Sequence, residues 1–223
     1  MKRTIDVLAI AVTLVALALV GARGWQYVKG LGRQKNARPA PIRLADWKWT
    51  AEGGHRIGAA NAAVTVVEFA DFQFPFCAAA APALGELRRQ YPGSLAVVFR
   101  EFPLSGHPFA GAAAFAAECA AEQGAFAQFH DVLYSAQREI GITPWTGFAQ
   151  RAGVRDPHAF NVCMSDPRVA SRILSDRAAG ERLGVAATPT FVVNGVEVTG
   201  FDGHGELRNV ILAALAAANR GKP

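Results

Sequence analysis

The chain has 223 residues, of which 51% are hydrophobic, enough for one medium-sized domain with a substantial core. Its net charge is +5, but seven of its 23 Lys and Arg residues lie in the first 38 positions, and the remainder carries 16 basic and 17 acidic residues. The positive excess therefore belongs to an N-terminal tail, and we expect no nucleic-acid-binding surface.

The tail contains an apolar stretch, residues 7–22, that follows a basic pair. Its length suits either the core of a cleaved signal peptide or, if Thr4 and Ile5 are counted in, a membrane anchor, and both alternatives remain open for residues 1–22. More basic residues follow the stretch than precede it, which by the positive-inside rule favours a cytoplasmic C-terminal side.

Residues 23–61 are basic at first and then contain Pro and Gly without sustained periodicity, which predicts a tether. We expect its end to be partly ordered, because Trp47 and Trp49 can dock on the domain that follows. The folded domain is predicted to span residues 62–220.

The predicted elements of this domain alternate between strands and helices. Two β-branched apolar runs predict strands at Val64–Ala70 and Leu95–Phe102, with a helix, Cys77–Tyr91, between them. A block of helices follows, with predicted spans of 107–123, 126–140, 144–152, 156–163 and a last one ending at Leu183.

The C-terminal part of the sequence predicts a hairpin and a final helix. Asn194-Gly195 is typical of a two-residue turn between strands Thr190–Val193 and Val196–Thr199, and Glu206–Ala218 is an amphipathic helix. Strand, helix, strand, helical block, hairpin and helix together predict a mixed α/β sheet.

These elements, in this order, resemble the thioredoxin fold, and the helices at about 104–183 resemble the insert of the DsbA-like thiol–disulfide oxidoreductases of bacterial envelopes. V-V-E-F-A-D-F-Q-F-P-F-C, which ends at Cys77, resembles the active-site segment of that family, and Pro82 matches the proline that kinks its active-site helix. The segment with Thr188-Pro189 resembles the family's cis-proline loop. The resemblance implies an α/β thioredoxin fold with a helical insert, in a periplasmic or other extracytoplasmic protein that is membrane-anchored or secreted.

The resembling segment departs from the family at Phe74, where the first cysteine of C-x-x-C would stand. In a working pair that cysteine is a thiolate stabilised by the start of the helix, and it attacks a substrate disulfide before the second cysteine resolves the adduct. Phe74 cannot ionise or form a disulfide. We therefore expect weak or absent dithiol activity, with Cys77 at the resolving position and without an intramolecular partner.

Two interpretations of Cys77 remain open. It is either a monothiol that forms mixed disulfides or senses oxidation, or a buried and inert thiol that packs as a small hydrophobic residue. Shielding by the rings of Phe74 and Phe76 would favour the second interpretation.

The other two cysteines, Cys119 and Cys163, both lie in the helical block. The resemblance implies that they form a structural disulfide. The alternative is two free core thiols, which is the default in a reducing compartment.

No metal or cofactor site is predicted, because the sequence contains no C-x-x-C or H-x-x-x-H pair. His107 and His130 are expected to have structural roles. A nucleophilic Cys77–His107 pair is disfavoured, because no third group that would orient the imidazole is evident in the sequence.

Two functional hypotheses follow. In the first, the chain is a DsbA-family oxidoreductase with impaired or monothiol redox activity and a redox partner protein. In the second, it is a non-catalytic module that binds extended or unfolded polypeptides at Thr188 and Pro189 through main-chain hydrogen bonds. An ordinary trans proline that opens a strand is the alternative for Pro189. The N-terminal segment would provide contact with the membrane.

Overall fold

The computed structural model describes Trp25 and residues 42–203 and 205–220. The chain divides into two compact units, residues 1–40 and 41–223, and the described part of the first is Trp25 alone, which is helical. The predicted signal or anchor segment, residues 1–22, lies outside the described residues. In the part of the chain that is described, no helix combines the length and the apolar character needed to cross a bilayer.

A five-stranded mixed sheet forms the centre of the second unit, in the order β1–β3–β2–β4–β5. Strands β2 and β3 are parallel, whereas the other neighbouring pairs are antiparallel. Both parallel strands are buried along their whole length, which explains why each appears in the sequence as a nearly continuous apolar run. The strands are β1 His55–Ile57, β2 Val64–Ala70, β3 Leu95–Glu101, β4 Thr190–Val193 and β5 Val196–Thr199.

Helices cover the sheet and fill the predicted insert, which confirms the thioredoxin fold with helices between its two halves. Each predicted helix is present with bounds that differ by a few residues, and the one predicted to reach residue 140 ends at Ser135. In the described residues the helices are α1 Pro75–Gln90, α2 Ala110–Ala121, α3 Phe126–Ser135, α4 Trp145–Arg151, α5 Pro157–Cys163, α6 Arg168–Leu183 and α7 Gly205–Arg220, with short 3₁₀ turns at Lys48–Ala51 and Gln137–Glu139.

The two faces of the sheet have separate apolar cores. Val64 and Val66 on β2 point to a core shared with α1 and α7. Val67 and Phe69, which alternate with them along the strand, point to the opposite core, where α6 and the segment before β1 pack. This sandwich holds the end of β2 and the start of α1 in fixed positions.

The insert has a core of its own that includes three fully buried rings, Phe129, Phe148 and Phe160. A disulfide joins Cys119 in α2 to Cys163 in α5, with Cα atoms 5.6 Å apart. The bridge that the family resemblance implied is therefore present.

The folded unit begins earlier than the boundary predicted at residue 62. Strand β1, within the predicted tether, pairs antiparallel with β3. The expected docking of the tryptophans is confirmed, since Trp47 packs against the core under β2 and β4, and the guanidinium of Arg182 lies 4.2 Å from the ring centre of Trp49. A strand of three residues is too short to show a period in the sequence.

Residues 42–44 run along the outer side of β5. Arg43 forms an antiparallel bridge with Val196. The N–H of Leu44 donates to the carbonyl of Gly195 at 2.8 Å, and the N–H of Glu197 donates to the carbonyl of Ile42 at 2.9 Å. The start of the described unit therefore covers the β5 edge of the sheet.

The hairpin between β4 and β5 turns at Asn194-Gly195, as the sequence predicts, with φ values of 43° and 90°. The Asn194 side chain also reaches across to the start of β2. It accepts a hydrogen bond from the N–H of Thr65 at 2.8 Å and donates to the carbonyl of Ala63 at 3.0 Å.

Candidate functional site

The candidate site lies where β2 ends and α1 begins, and the buried carboxylate of Asp71 organises this junction. Its Oδ1 accepts from the N–H of Gln73 at 2.7 Å, which shapes the turn after the strand. Its Oδ2 accepts from the N–H of Leu104 at 2.8 Å and lies 2.7 Å from Nδ1 of His107. One side chain thus ties the start of the insert to the end of β2.

Phe74 is the N-cap residue of α1, with extended backbone (φ −83°, ψ 124°) and no capping side-chain hydrogen bond. Pro75 follows at the first helical position, where its missing N–H costs nothing. The carbonyl of Phe74 accepts from the N–H of Cys77 at 3.1 Å. A cysteine at position 74 would stand at the positive end of this helix.

A hydrogen bond from the insert also fixes the backbone on either side of this turn. Nε2 of Gln137 donates to the carbonyls of Phe72 at 2.8 Å and Phe74 at 3.0 Å. This contact could not be predicted from the sequence, because the partners are more than 60 positions apart.

His107 lies beside Phe74, with ring centres 5.5 Å apart. The expectation that nothing orients this imidazole was wrong, because the carboxylate of Asp71 does so. No hydrogen bond joins Cys77 to His107 among the described residues; the imidazole is held by Asp71 and lies against the ring of Phe74 instead.

Cys77 is completely buried and has no disulfide partner. Burial raises the pKa of its thiol far above the ordinary range, and the negative charge of Glu68 raises it further. The thiol is therefore protonated at neutral pH and out of reach of a substrate disulfide. Phe74 packs against the same core cluster as Cys77, whereas Phe76 turns outward and is 55% exposed.

Glu68 is a fully buried carboxyl group in the middle of β2. Burial raises its pKa to about 8. Neither of its side-chain oxygens has a hydrogen-bond partner within the described residues. Glu68 is not among the residues predicted from the sequence to form the site, although a lone acid in an apolar strand is a signal that could have identified it.

The peptide bond between Thr188 and Pro189 is cis, as the resemblance implied. Both residues are buried, and the exposed part of the loop is Ala186 and Ala187. The Thr188 hydroxyl lies near the thiol of Cys77 without forming a hydrogen bond of ordinary geometry. The carbonyl of Pro189 accepts from the N–H of Gly200 at 2.8 Å, whereas the main-chain N–H and C=O of Thr188 make no hydrogen bond among the described residues.

Large apolar side chains are exposed around the junction. Phe76 is 55% exposed, Phe109 40% and Ile142 81%. The ring of Phe76 lies 5.3 Å from that of Phe74. We call Phe74, Phe76, His107, Phe109 and Ile142 the aromatic surface.

Two contacts hold Phe109 in the aromatic surface. Its N–H donates to Oε1 of Gln73 at 2.8 Å, which links it to the turn before Phe74. Its ring lies directly over Gly141, whose φ of 87° and lack of a Cβ allow the close approach, and Ile142 follows in the chain.

A buried ion pair lies on the neighbouring strand. Arg100 Nε is 3.0 Å from Asp176 Oδ1, and both side chains are almost fully buried. The other oxygen of Asp176 accepts from the N–H of Glu101 at 2.9 Å. These contacts fasten β3 to α6 and are structural.

The chemistry available at the junction is limited by its sulfur content. Phe74 has no sulfur, so Cys77 cannot form a disulfide with the residue at the start of α1. Among the described residues, no group of three His, Cys, Asp or Glu side chains is arranged to hold a metal ion.

Comparisons with solved structures give the fold. A thioredoxin-like oxidoreductase from Silicibacter pomeroyi superposes with a TM-score of 0.62 at 27% identity, over 80% of this chain and 99% of that one. DsbA2 from Pseudomonas aeruginosa superposes with a TM-score of 0.60 at 25% identity, over 83% of this chain and 98% of that one. BdbD from Bacillus subtilis superposes with a TM-score of 0.67 at 22% identity, over 80% of this chain and all of that one, which shows the shared fold.

Curated relatives are longer proteins. The Na(+)/H(+) antiporter NhaA 3 of Salinispora tropica is 41% identical over 165 residues, which are 74% of this chain and 25% of the antiporter. The antiporter NhaA of Herminiimonas arsenicoxydans is 30% identical over 210 residues, 93% of this chain and 32% of the antiporter. The chain thus spans about a quarter to a third of the length of these relatives.

A family model described as thioredoxin matches residues 50–212, which is most of the described unit. Together with the helical insert, the cis-proline loop and the strand-to-helix junction, this match establishes the family. The chain belongs to the thioredoxin family, and within it to the members with a DsbA-like thioredoxin fold.

Proposed function

We propose that this chain is an extracytoplasmic DsbA-like protein that binds extended polypeptides at the aromatic surface and has weak or absent dithiol-exchange activity. The observation that carries the proposal is the complete burial of Cys77 beneath a junction whose nucleophile position is Phe74.

The sulfur chemistry supports the first part of the proposal. Thiol–disulfide exchange requires a thiolate that can reach a substrate disulfide. Cys77 is protonated and inaccessible, so it meets neither requirement. A monothiol cycle would require the start of α1 to open, and it would leave an adduct on Cys77.

The exposed side chains support polypeptide binding. Aromatic residues at the centre of an apolar patch provide much of the binding free energy in protein interfaces. In the cis-proline loop Ala186 and Ala187 are exposed residues, and the main-chain groups of Thr188 have no hydrogen-bond partner among the described residues. An extended chain would place apolar side chains on the aromatic surface and hydrogen-bond to this loop.

An extracytoplasmic location is supported by two observations. The Cys119–Cys163 disulfide is stable in oxidising compartments, and a periplasmic thioredoxin-like protein from Salmonella enterica has the same fold. The N-terminal apolar stretch would then act in export or anchoring. A C-terminal alkaline phosphatase fusion would be active if the domain is exported and inactive if it stays in the cytoplasm.

Binding can be separated from redox chemistry by using a client without reactive sulfur. Reduced, carboxymethylated α-lactalbumin remains unfolded and cannot exchange disulfides. We expect it to bind the wild-type chain and to bind a Phe76→Ser variant at least tenfold more weakly. Leu174→Ser, which alters a residue 63% exposed on α6, is the matched control and should leave the affinity unchanged.

Two results would contradict the proposal. One is no binding of this client by the wild-type chain. The other is insulin reduction or client oxidation by the wild-type chain at rates typical of two-cysteine relatives. A stable adduct on Cys77 in protein from its native compartment would favour the alternative hypothesis that Cys77 acts as a monothiol.

The curated relatives favour a second candidate function, in which the chain acts with a sodium–proton antiporter. In those proteins a matching region is part of an antiporter chain, and one alignment covers 93% of this chain, so it extends into the residues before position 42. Co-purification with an antiporter from the same cells, lost when residues 1–41 are replaced by an unrelated signal peptide, would support this candidate. Failure to co-purify after crosslinking would count against it.

A further inference from the structure

The disulfide of the insert has one enclosed half and one accessible half. Cys119 lies on α2 with no exposed surface, in the apolar core that contains Phe129 and Phe160. Cys163, the last residue of α5, is partly exposed at the edge of the same core. The two sulfurs are therefore unequal towards a reagent that comes from solvent, and Cys163 is the one that it can reach.

Cys163 lines an open pocket of about 500 Å³ between the end of α2, α5 and the start of α6. The apolar part of the lining consists of Ala159, Val162 and Val169, and Val162 is 59% exposed. Cys119 does not line the pocket. A volume of this size is in the range of pockets that hold small molecules.

Charged side chains of both signs form the rest of the lining. Nη2 of Arg168 lies 2.6 Å from Oδ2 of Asp166, and Nη2 of Arg172 lies 2.5 Å from Oε1 of Glu122. The two arginine side chains remain 89% and 52% exposed, so their guanidinium groups have N–H donors to spare. A molecule with both carboxylate and ammonium groups would find opposite charges for each.

We propose that the Cys119–Cys163 bridge is an exchangeable disulfide, which small zwitterionic thiols of the amino-acid class attack at Cys163 from this pocket. A carboxylate of the thiol would pair with Arg168 or Arg172 while its sulfur reaches Cys163. The proposal gives the chain a second sulfur site, separate from Cys77, and it does not depend on polypeptide binding at the aromatic surface.

The burial of Cys119 also sets the direction of attack. In thiol–disulfide exchange the incoming, central and leaving sulfurs lie in a row, because the new bond forms on the side opposite to the bond that breaks. With Cys119 enclosed in the core and Cys163 on the pocket wall, the incoming sulfur approaches from the pocket. The expected first product is a mixed disulfide on Cys163.

The exchange balances in atoms and electrons. The thiolate of the small molecule bonds to Sγ of Cys163, and the electron pair of the broken S–S bond goes to Sγ of Cys119, which takes up the proton that the thiol released. A second small thiol then displaces the first from Cys163. The chain ends with two thiols, and two small thiols have been oxidised to one disulfide. The reverse sequence restores the bridge.

Two variants that break the same bridge test the difference between its halves. Cys119→Ala leaves a thiol at Cys163, and Cys163→Ala leaves one at Cys119. With oxidised glutathione, we expect the thiol at Cys163 to form a mixed disulfide roughly a hundredfold faster than the thiol at Cys119, as measured by peptide mass mapping. Near-ultraviolet circular dichroism shows that both variants are folded. Equal rates in the folded variants would overturn the proposal.

The wild-type chain provides the same test if the loss of the bridge unfolds the insert. The native protein is treated with reduced glutathione, quenched with acid at short times and digested. We expect glutathione on Cys163 and a free thiol at Cys119, with Cys77 unmodified. An adduct mainly on Cys119, or a bridge that stays intact in excess glutathione, would overturn the proposal.

The preference for zwitterions is tested in the Cys119→Ala chain with a charged and an uncharged disulfide. Arg168→Gln should slow the reaction with oxidised glutathione about threefold and leave the reaction with bis(2-hydroxyethyl) disulfide unchanged. Arg208→Gln removes an exposed arginine on α7 and is the matched control, which should change neither rate. The same effect of Arg168→Gln on both disulfides, or no effect on either, would overturn the assignment to zwitterionic thiols.

Discussion

The carboxylate of Asp71 lies 2.7 Å from Nδ1 of His107, and the imidazole ring of His107 lies beside the ring of Phe74. The first turn of α1 therefore has an oriented histidine and the positive end of a helix next to a side chain that cannot use them. The surroundings of a reactive thiol are present at position 74, while the sulfur is missing.

Replacing Phe74 by Cys should therefore create an oxidisable pair with Cys77. We expect disulfide exchange to increase by orders of magnitude, with a new thiolate of lowered pKa that is detectable by its ultraviolet absorbance on titration. Phe74→Ser, which opens the same space without sulfur, is the control and should remain inactive in insulin reduction. If Phe74→Cys gains no activity, other parts of the site have also diverged from the working enzymes.

The burial of Cys77 predicts that it resists alkylation. Iodoacetamide should leave this residue unmodified in the native chain and modify it after unfolding, as measured by mass spectrometry. An Ala79→Cys variant provides the matched control, because that position on the same helix is exposed and should react at once. Rapid alkylation of Cys77 in the native state would show that α1 opens at its start.

The pKa of Glu68 makes stability depend on pH. Its folded value of about 8 lies above the ordinary 4.5, so the folded state binds the proton more tightly than the unfolded state. The contribution of Glu68 to the free energy of unfolding is fully present below pH 4 and decreases as the pH rises towards 8. The decrease is about 3 kcal/mol at pH 7 and about 5 kcal/mol above pH 9.

Glu68→Gln should remove this loss. Urea unfolding of the variant and the wild-type chain should give free energies whose difference shifts in favour of the variant between pH 4 and pH 9. A difference that does not change with pH would mean that Glu68 titrates normally. Glu197→Gln on β5, which is only partly buried, is a suitable control.

The disulfide between Cys119 and Cys163 closes a separation of 44 residues. In the chain-entropy treatment, a loop of this length contributes about 4 kcal/mol to the free energy of unfolding. The double variant Cys119→Ala, Cys163→Ala should lose about this amount in urea unfolding, and reduction of the wild-type chain should have a similar effect. A loss below 1 kcal/mol would show that the insert holds together without the bridge.

The parts of the fold that the sequence predicted correctly have local signals. β2 is a long β-branched run, and Asn194-Gly195 specifies its turn by backbone conformation alone. β1 was not predicted, because three residues are too few to show an alternation of apolar and polar side chains and their extended conformation depends on pairing with β3. Fold prediction therefore succeeded where the element itself determines the structure.

The candidate site was predicted less completely, because its contacts join distant parts of the chain. Cys77, Phe74 and the cis-proline were identified through a family resemblance. The partnership of Asp71 with His107 spans 36 positions, and the hydrogen bond from Gln137 to the carbonyl of Phe74 spans 63. Neither pairing leaves a pattern in a single sequence.

The pairing of residues 42–44 with β5 has a consequence for handling this protein. A chain cut at residue 50, where the family match begins, would lose Ile42, Arg43 and Leu44 from the sheet. The outer N–H and C=O groups of β5 would then be free to recruit a strand from another molecule, which is how sheet proteins self-associate and precipitate. Expression of the domain alone should start no later than residue 41.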